Sequence, residues 1–143
     1  MKRNVALFFS TLAFSLITLT PVASAANCIH GASETPVCEG NWVYAVPYGS
    51  PISGEALEVF KDGKVKISDN GNIYWLHVSK VSPDVLFLNG LARGDCVHFM
   101  DDKNNNSTGM IMAVFANGLV EVVNEYKYFR SFSAVGKKTK CVR

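Results

Sequence analysis

The chain is poor in the side chains that catalysis and metal binding draw on. It has only three histidines in 143 residues, and His30, His77 and His98 show no metal-ligand spacing, so no metal and no cofactor are expected. No serine sits in a nucleophile elbow, and no glycine-rich loop is placed to cradle phosphate. Cys96 and His98 project from one face of a predicted strand, as a thiol nucleophile and its base would. A disulfide at Cys96 would consume that thiol, so the chain is read as a non-enzyme.

Charge is missing in two senses. Val5 to Leu19 carries none, follows the cationic "MKRN", and leads to Pro21 and the small triplet Ala23-Ser24-Ala25. This is the pattern of a secretory signal peptide over residues 1–25, too short in its apolar run for a membrane span. Cleavage before Ala26 removes Lys2 and Arg3, which takes the 14 basic residues to 12 against 12 acidic ones. A balanced chain makes nucleic acid an unfavourable partner. No membrane span is left, and the expected location is periplasmic or secreted. Lys137, Lys138, Lys140 and Arg143 form a basic C-terminal tail, read as solvated.

What is present is a repeat. Slid against itself by 54 to 55 positions, the chain matches Gly40 with Gly94, Val43 with Val97, Gly54 with Gly109, and Val59-Phe60 with Val114-Phe115. Further along, Gly63 matches Gly118, Val65 matches Val120, Tyr74 matches Tyr128, Ser79 matches Ser133 and Val81 matches Val135. The matches fall on turn glycines and apolar strand positions, so they report shared structure. Alternating β-branched and aromatic residues predict strands near Asn41–Val46, Glu55–Phe60, Lys64–Ser68 and Ile73–Val78. A second set is predicted near Asp95–Met100, Met110–Phe115, Leu119–Asn124 and Lys127–Phe132, with a short fifth strand after each. "KDGK" and "ANGL" carry the Asp-Gly and Asn-Gly pairs that favour type I′ hairpins. The connector "SPDVLFLNGLA" is too apolar for a tether, so Val85, Leu86, Phe87, Leu88 and Leu91 are expected to pack between two rigidly joined lobes.

The stretches "GNWVYAV", "GEALEVFKDGKVKISDNGNIYWLHVSKV", "GDCVHFM" and "GMIMAVFANGLVEVVNEYKYF" resemble the SH3-like barrels, in particular their Tudor subset, over nearly all of Cys38 to Gly136. The fold expected is all-β: two tandem SH3-like (Tudor-like) five-stranded barrels packed through an apolar connector. The boundaries are a signal peptide at 1–25, an N-terminal disulfide segment at 26–37, barrel 1 at 38–82, the connector at 83–91, and barrel 2 with its basic tail at 92–143. Barrels this small bury little surface. All four cysteines lie in the exported part, where thiols oxidise, and two disulfides are expected from three possible pairings. Proximity favours Cys28 with Cys38, leaving Cys96 with Cys141. The resemblance adds that the first and last strands of such a barrel run close, which lets the tail reach Cys96.

The resemblance also implies a ligand groove beside the first loop. Tudor domains hold methylated side chains in an aromatic cage, and the ring candidates are Tyr48 and Tyr74 in the first copy and Tyr126 and Tyr128 in the second. The first copy reads Asp69-Asn70-Gly71-Asn72, with Asn70 where the family commonly has an aromatic residue. The same rings suit cell-wall peptide or glycan, as in bacterial SH3-like domains. Trp42, Tyr44, Trp75 and Phe129 are assigned to the barrel walls. The loop Asp101 to Asn106 lacks the glycine and the closing carboxylate of a calcium loop and is read as solvated. The function expected is a non-catalytic exported binding module recognising cell-wall peptide or glycan, or a segment of an envelope protein. The alternative is a periplasmic protein inhibitor or accessory subunit acting through a protein–protein surface.

Overall fold

Each copy opens with a two-stranded ribbon and continues as a five-stranded antiparallel sheet. The computed structural model describes residues 26–138, Lys140 and Cys141, so the signal-peptide expectation for residues 1–25 lies outside the described residues. In the first lobe the ribbon is β1 (Cys28–Ile29) and β2 (Val37–Cys38). The sheet strands are β3 (Trp42–Ala45), β4 (Ile52–Val59), β5 (Lys64–Asp69), β6 (Asn72–His77) and β7 (Val81–Pro83). In the second lobe the ribbon is β8 (Phe87–Leu88) and β9 (Leu91–Ala92). Its sheet strands are β10 (Cys96–Met100), β11 (Asn106–Val114), β12 (Leu119–Val123), β13 (Lys127–Ser131) and β14 (Val135–Lys138).

The two sheets have one topology. The first runs β6-β5-β4-β3-β7 and the second β13-β12-β11-β10-β14, so the fifth strand returns to pair with the first. A single 3-10 turn precedes each fifth strand, at Val78–Lys80 and at Phe132–Ala134. The repeat reaches individual hydrogen bonds. The side chain of Asn41 accepts from the Cys38 backbone N–H at 2.7 Å, and Asp95 at the equivalent position accepts from the Ala92 N–H at 2.9 Å. Both long second strands carry a register shift at matching places, between Ala56 and Glu58 and between Ile111 and Ala113. Gly54 and Gly109 explain a further match: a Cβ on either would run into the backbone of the next strand, at Ser68 and at Val123.

Two apolar clusters hold the lobes. Val43, Ala56, Val65, Ile67 and Val37 are buried in the first, and Val97, Ile111, Val120, Val122 and Leu91 in the second. These are the alternate residues of the strands, as a sheet with one covered face requires. Each fully buried valine or isoleucine contributes about 1.5–3 kcal/mol.

Three expectations are corrected. The hairpins at "KDGK" and "ANGL" are not type I′, since only the glycines, Gly63 and Gly118, have positive φ. Asp62 and Asn117 stay in ordinary backbone because their side chains accept the N–H of Lys64 and Leu119 at 3.1 and 3.2 Å. Positive φ at both central residues occurs at Tyr48-Gly49, Asn70-Gly71 and Asn89-Gly90, the last two closing two-residue hairpins. Second, the connector is not wholly buried: Val85, Leu88 and Leu91 pack on the second core, but Leu86 and Phe87 are exposed. Third, residues 87–92 form a ribbon equivalent to β1 and β2. Ile29 and Val37 cover the first core as Leu88 and Leu91 cover the second.

Both disulfides pair as expected, Cys28 with Cys38 and Cys96 with Cys141. The first ties directly opposed residues of the β1–β2 ribbon, where the second lobe has a tight Asn-Gly turn instead. Two disulfides fit an oxidising, extracellular or periplasmic environment. Among the described residues no helix is long and apolar enough to cross a membrane.

Candidate functional site

The lobes meet over a mixed aromatic and polar seam. Tyr44 of β3 lies between Phe115 and Phe129, with ring centroids 5.6 and 5.0 Å away. Beside it the indole N–H of Trp42 donates to Glu121 Oε2 at 3.1 Å. Glu121 is only 3% exposed. Its second oxygen faces the Lys127 ammonium at 3.8 Å, which also donates to Ser53 Oγ at 3.1 Å and pairs with Asp69 at 3.6 Å. The Ala116 N–H donates to the Pro83 carbonyl and the Asn117 N–H to Ser82 Oγ, at 2.9 and 3.0 Å. Trp42, Tyr44 and Phe129 therefore belong to the lobe junction and not to barrel walls, and Trp75 stands 55% exposed. The β-pattern placed these rings on a strand face but carried no signal for which lobe would cover them. Burial at the seam pushes the Tyr44 phenol above its usual pKa.

Three grooves are open enough to receive a ligand; one of about 480 Å³ beside the first ribbon, among Asn27, Ile29, Phe60 and Lys61, holds none of the candidate tyrosines, and two others remain. One, of about 330 Å³, lies over the junction among Ala32, Tyr44, Lys80, Ser82 and Asn117. Within it, Ser82 Oγ already holds the Asn117 N–H. The other, of about 430 Å³, lies on the second lobe and is lined by Asp101, Asp102, Lys103, Tyr126, Lys127 and Tyr128. The structure thus brings Tyr126 and Tyr128 to one groove beside the first loop.

The loop is held in place by Asp101. Its Oδ1 accepts the N–H groups of Lys103 and Asn105, each at 2.8 Å, which makes a turn of the "DDKNN" stretch. The hydrogen bonds from Asn105 lower the Asp101 pKa below its usual range. Neighbouring Asp102 receives Arg130 Nη2 at 2.6 Å. The Arg130 guanidinium lies 5.2 Å from the ring centre of Tyr128 and 5.8 Å from that of Phe99. Withdrawal from water, followed by the charges of Asp101 and Asp102, raises the Tyr128 pKa. Sequence reading did not single out Arg130, because nothing in the strand pattern marks one cation as stacked.

That guanidinium decides what the groove suits. A cage for a methylated cation needs free ring faces, and Arg130 already stands against Tyr128. Tyr126 is 68% exposed, and Asp102 and Lys103 add a carboxylate and an ammonium beside it. A ring with mixed polar groups fits the apolar faces and hydroxyl or amide edges of sugars and peptides.

The first lobe is different. Tyr48 is 100% exposed at the Pro47–Gly49 turn, whereas Tyr74 is half-buried against the first core. The two rings make no shared pocket among the described residues. Cys96 is spent in its disulfide, and the His98 ring lies where a Cβ on Gly136 would fall. No group of three or more potential metal ligands occurs among the described residues. No protein-family model, curated protein or solved structure matches this chain.

Proposed function

We propose that the chain is an exported, non-catalytic binding module, built of two SH3-like barrels, that holds a cell-wall peptide or glycan in the groove of its second lobe. The observation that carries this reading is the convergence of Tyr126, Tyr128, Asp102 and Lys103 around an open groove of about 430 Å³. Its size lies in the range of small-ligand sites, and its loop is pre-shaped by Asp101. Pre-shaping lowers the ordering cost on binding. The meander of four strands, the 3-10 turn and the return of the fifth strand to the first support the barrel assignment.

Nuclear magnetic resonance titration of the oxidised protein with soluble cell-wall fragments tests the reading. The expected result is a saturable shift of Tyr126, Tyr128 and Asp102 signals. Shifts confined to residues outside the groove, or no shifts, would contradict it.

A further inference from the structure

The four outer strand edges of the two sheets are protected unequally. β7 is fully buried, contains Pro83, and has its carbonyl taken by Ala116 of the other lobe. β13 carries Lys127 and Arg130. β14 carries Lys137 and lies beside the Cys96–Cys141 cross-link. Only β6, "NIYWLH", has no Asp, Glu, Lys, Arg or Pro. Its one sheet neighbour is β5. Charges, prolines and covers are the devices that keep open strand edges from pairing with other chains, and β6 has none of them.

The face beside that edge is equally uncovered. Ile73 and Trp75 are 46% and 55% exposed, with Trp75 against Phe60 at 5.7 Å between centroids. In the second lobe the positions equivalent to Phe60 and Trp75 hold Phe115 and Phe129, which the first lobe covers with Tyr44. The position equivalent to Ile73 holds Lys127. The same face is thus an interface in one copy and bare in the other.

We infer that β6 is a self-association edge, taken by the β6 of a second copy of this chain in antiparallel pairing about a two-fold axis. Self-pairing is favoured because the edge carries no charge to repel its own copy. The cations on the adjoining face, Lys64 and Lys66, pair with Asp62 at 3.2 Å and Glu58 at 2.5 Å, and Lys66 lies 5.5 Å over the Trp75 ring. A register centred on Tyr74 sets Ile73 opposite Trp75 of the second copy, twice, and such aromatic and β-branched pairs stabilise sheets. Head-to-tail stacking that repeats the lobe junction is disfavoured. The surface that would have to dock holds Cys96 and His98 where the first lobe has Trp42 and Tyr44, so it lacks the indole N–H and the phenol ring that make the junction.

Sedimentation velocity of the oxidised mature chain, from low-micromolar to millimolar concentration, tests the inference. The expected result is a concentration-dependent dimer that Ile73→Lys and Trp75→Lys each abolish, whereas Tyr126→Lys on the second lobe leaves it intact. A parent that stays monomeric throughout would overturn the inference, as would a dimer that survives both edge substitutions. If either variant loses the parent's far-ultraviolet spectrum, amide exchange on the parent decides. Protection of β6 amides that grows with concentration supports the inference, and unchanged β6 exchange overturns it.

Discussion

The indole N–H of Trp42 and the buried carboxylate of Glu121 meet at 3.1 Å across the lobe junction, 79 residues apart in sequence. Among the described residues, only Lys127 brings a positive charge to that carboxylate, at 3.8 Å. A carboxylate so enclosed depends on these partners, because burying an unpaired charge costs far more than pairing gains. Lys127→Met is expected to lower unfolding free energy by about 2 kcal/mol or more in urea. Lys64→Met, which breaks the exposed Lys64–Asp62 pair, should cost less than about 1 kcal/mol. Equal, small losses would mean that the junction is not held by the buried pair.

The disulfides should contribute unequally. Cys96–Cys141 spans 45 residues and Cys28–Cys38 spans 10. The chain-entropy treatment makes the longer loop the larger constraint on the unfolded chain, by about 1 kcal/mol. Paired Cys→Ser substitution of Cys96 and Cys141 is therefore expected to lower the unfolding midpoint more than that of Cys28 and Cys38. The reverse order, measured by calorimetry, would show that the N-terminal ribbon matters more as a cover for Val37 and the first core than its loop length suggests.

Acid should loosen the fold. Four carboxylates have depressed folded pKa values: Glu39 through the Asn27 amide, Asp62 and Asp95 through the N–H groups of Lys64 and Ala92, and Asp101 through Asn105. A depressed folded value gives stability that is present above the ordinary value, 4.5 for Glu39 and 3.8 for the aspartates, and is lost as pH falls through the folded value. Asp84 runs the other way, because burial raises it. With four groups against one, the melting temperature is expected to hold down to about pH 5 and then decline. Asp101→Asn should lower it at neutral pH and reduce the decline. A melting temperature that rises on acidification would contradict the assignment.

The fold was legible where a local rule fixes it. Gly63, Gly118 and the strand alternation around Val65 and Val120 gave the hairpins and the repeat, because turn glycines and period-2 burial act within a few residues. Asp62 and Asn117 misled on turn type, since the same side chain that suits a left-handed turn can instead cap the next N–H. The ribbon at residues 87–92 was hidden because its partner in the first copy carries a longer loop closed by a disulfide. The second-lobe groove was half legible. Tyr126 and Tyr128 flank a turn that can be located in sequence, but the stacking of Arg130 and the burial of Tyr44 between Phe115 and Phe129 are set by packing between distant strands.

The most direct test of the binding account is co-sedimentation of the oxidised mature protein with purified, protein-free cell wall, beside Tyr126→Ala, Asp102→Ala and Tyr48→Ala variants. Tyr48→Ala serves as the control, because Tyr48 stands alone in solvent. The account predicts that the parent and the Tyr48 variant pellet with the wall and that the Tyr126 and Asp102 variants stay in solution. A parent that stays in solution, or groove variants that pellet as the parent does, would contradict it.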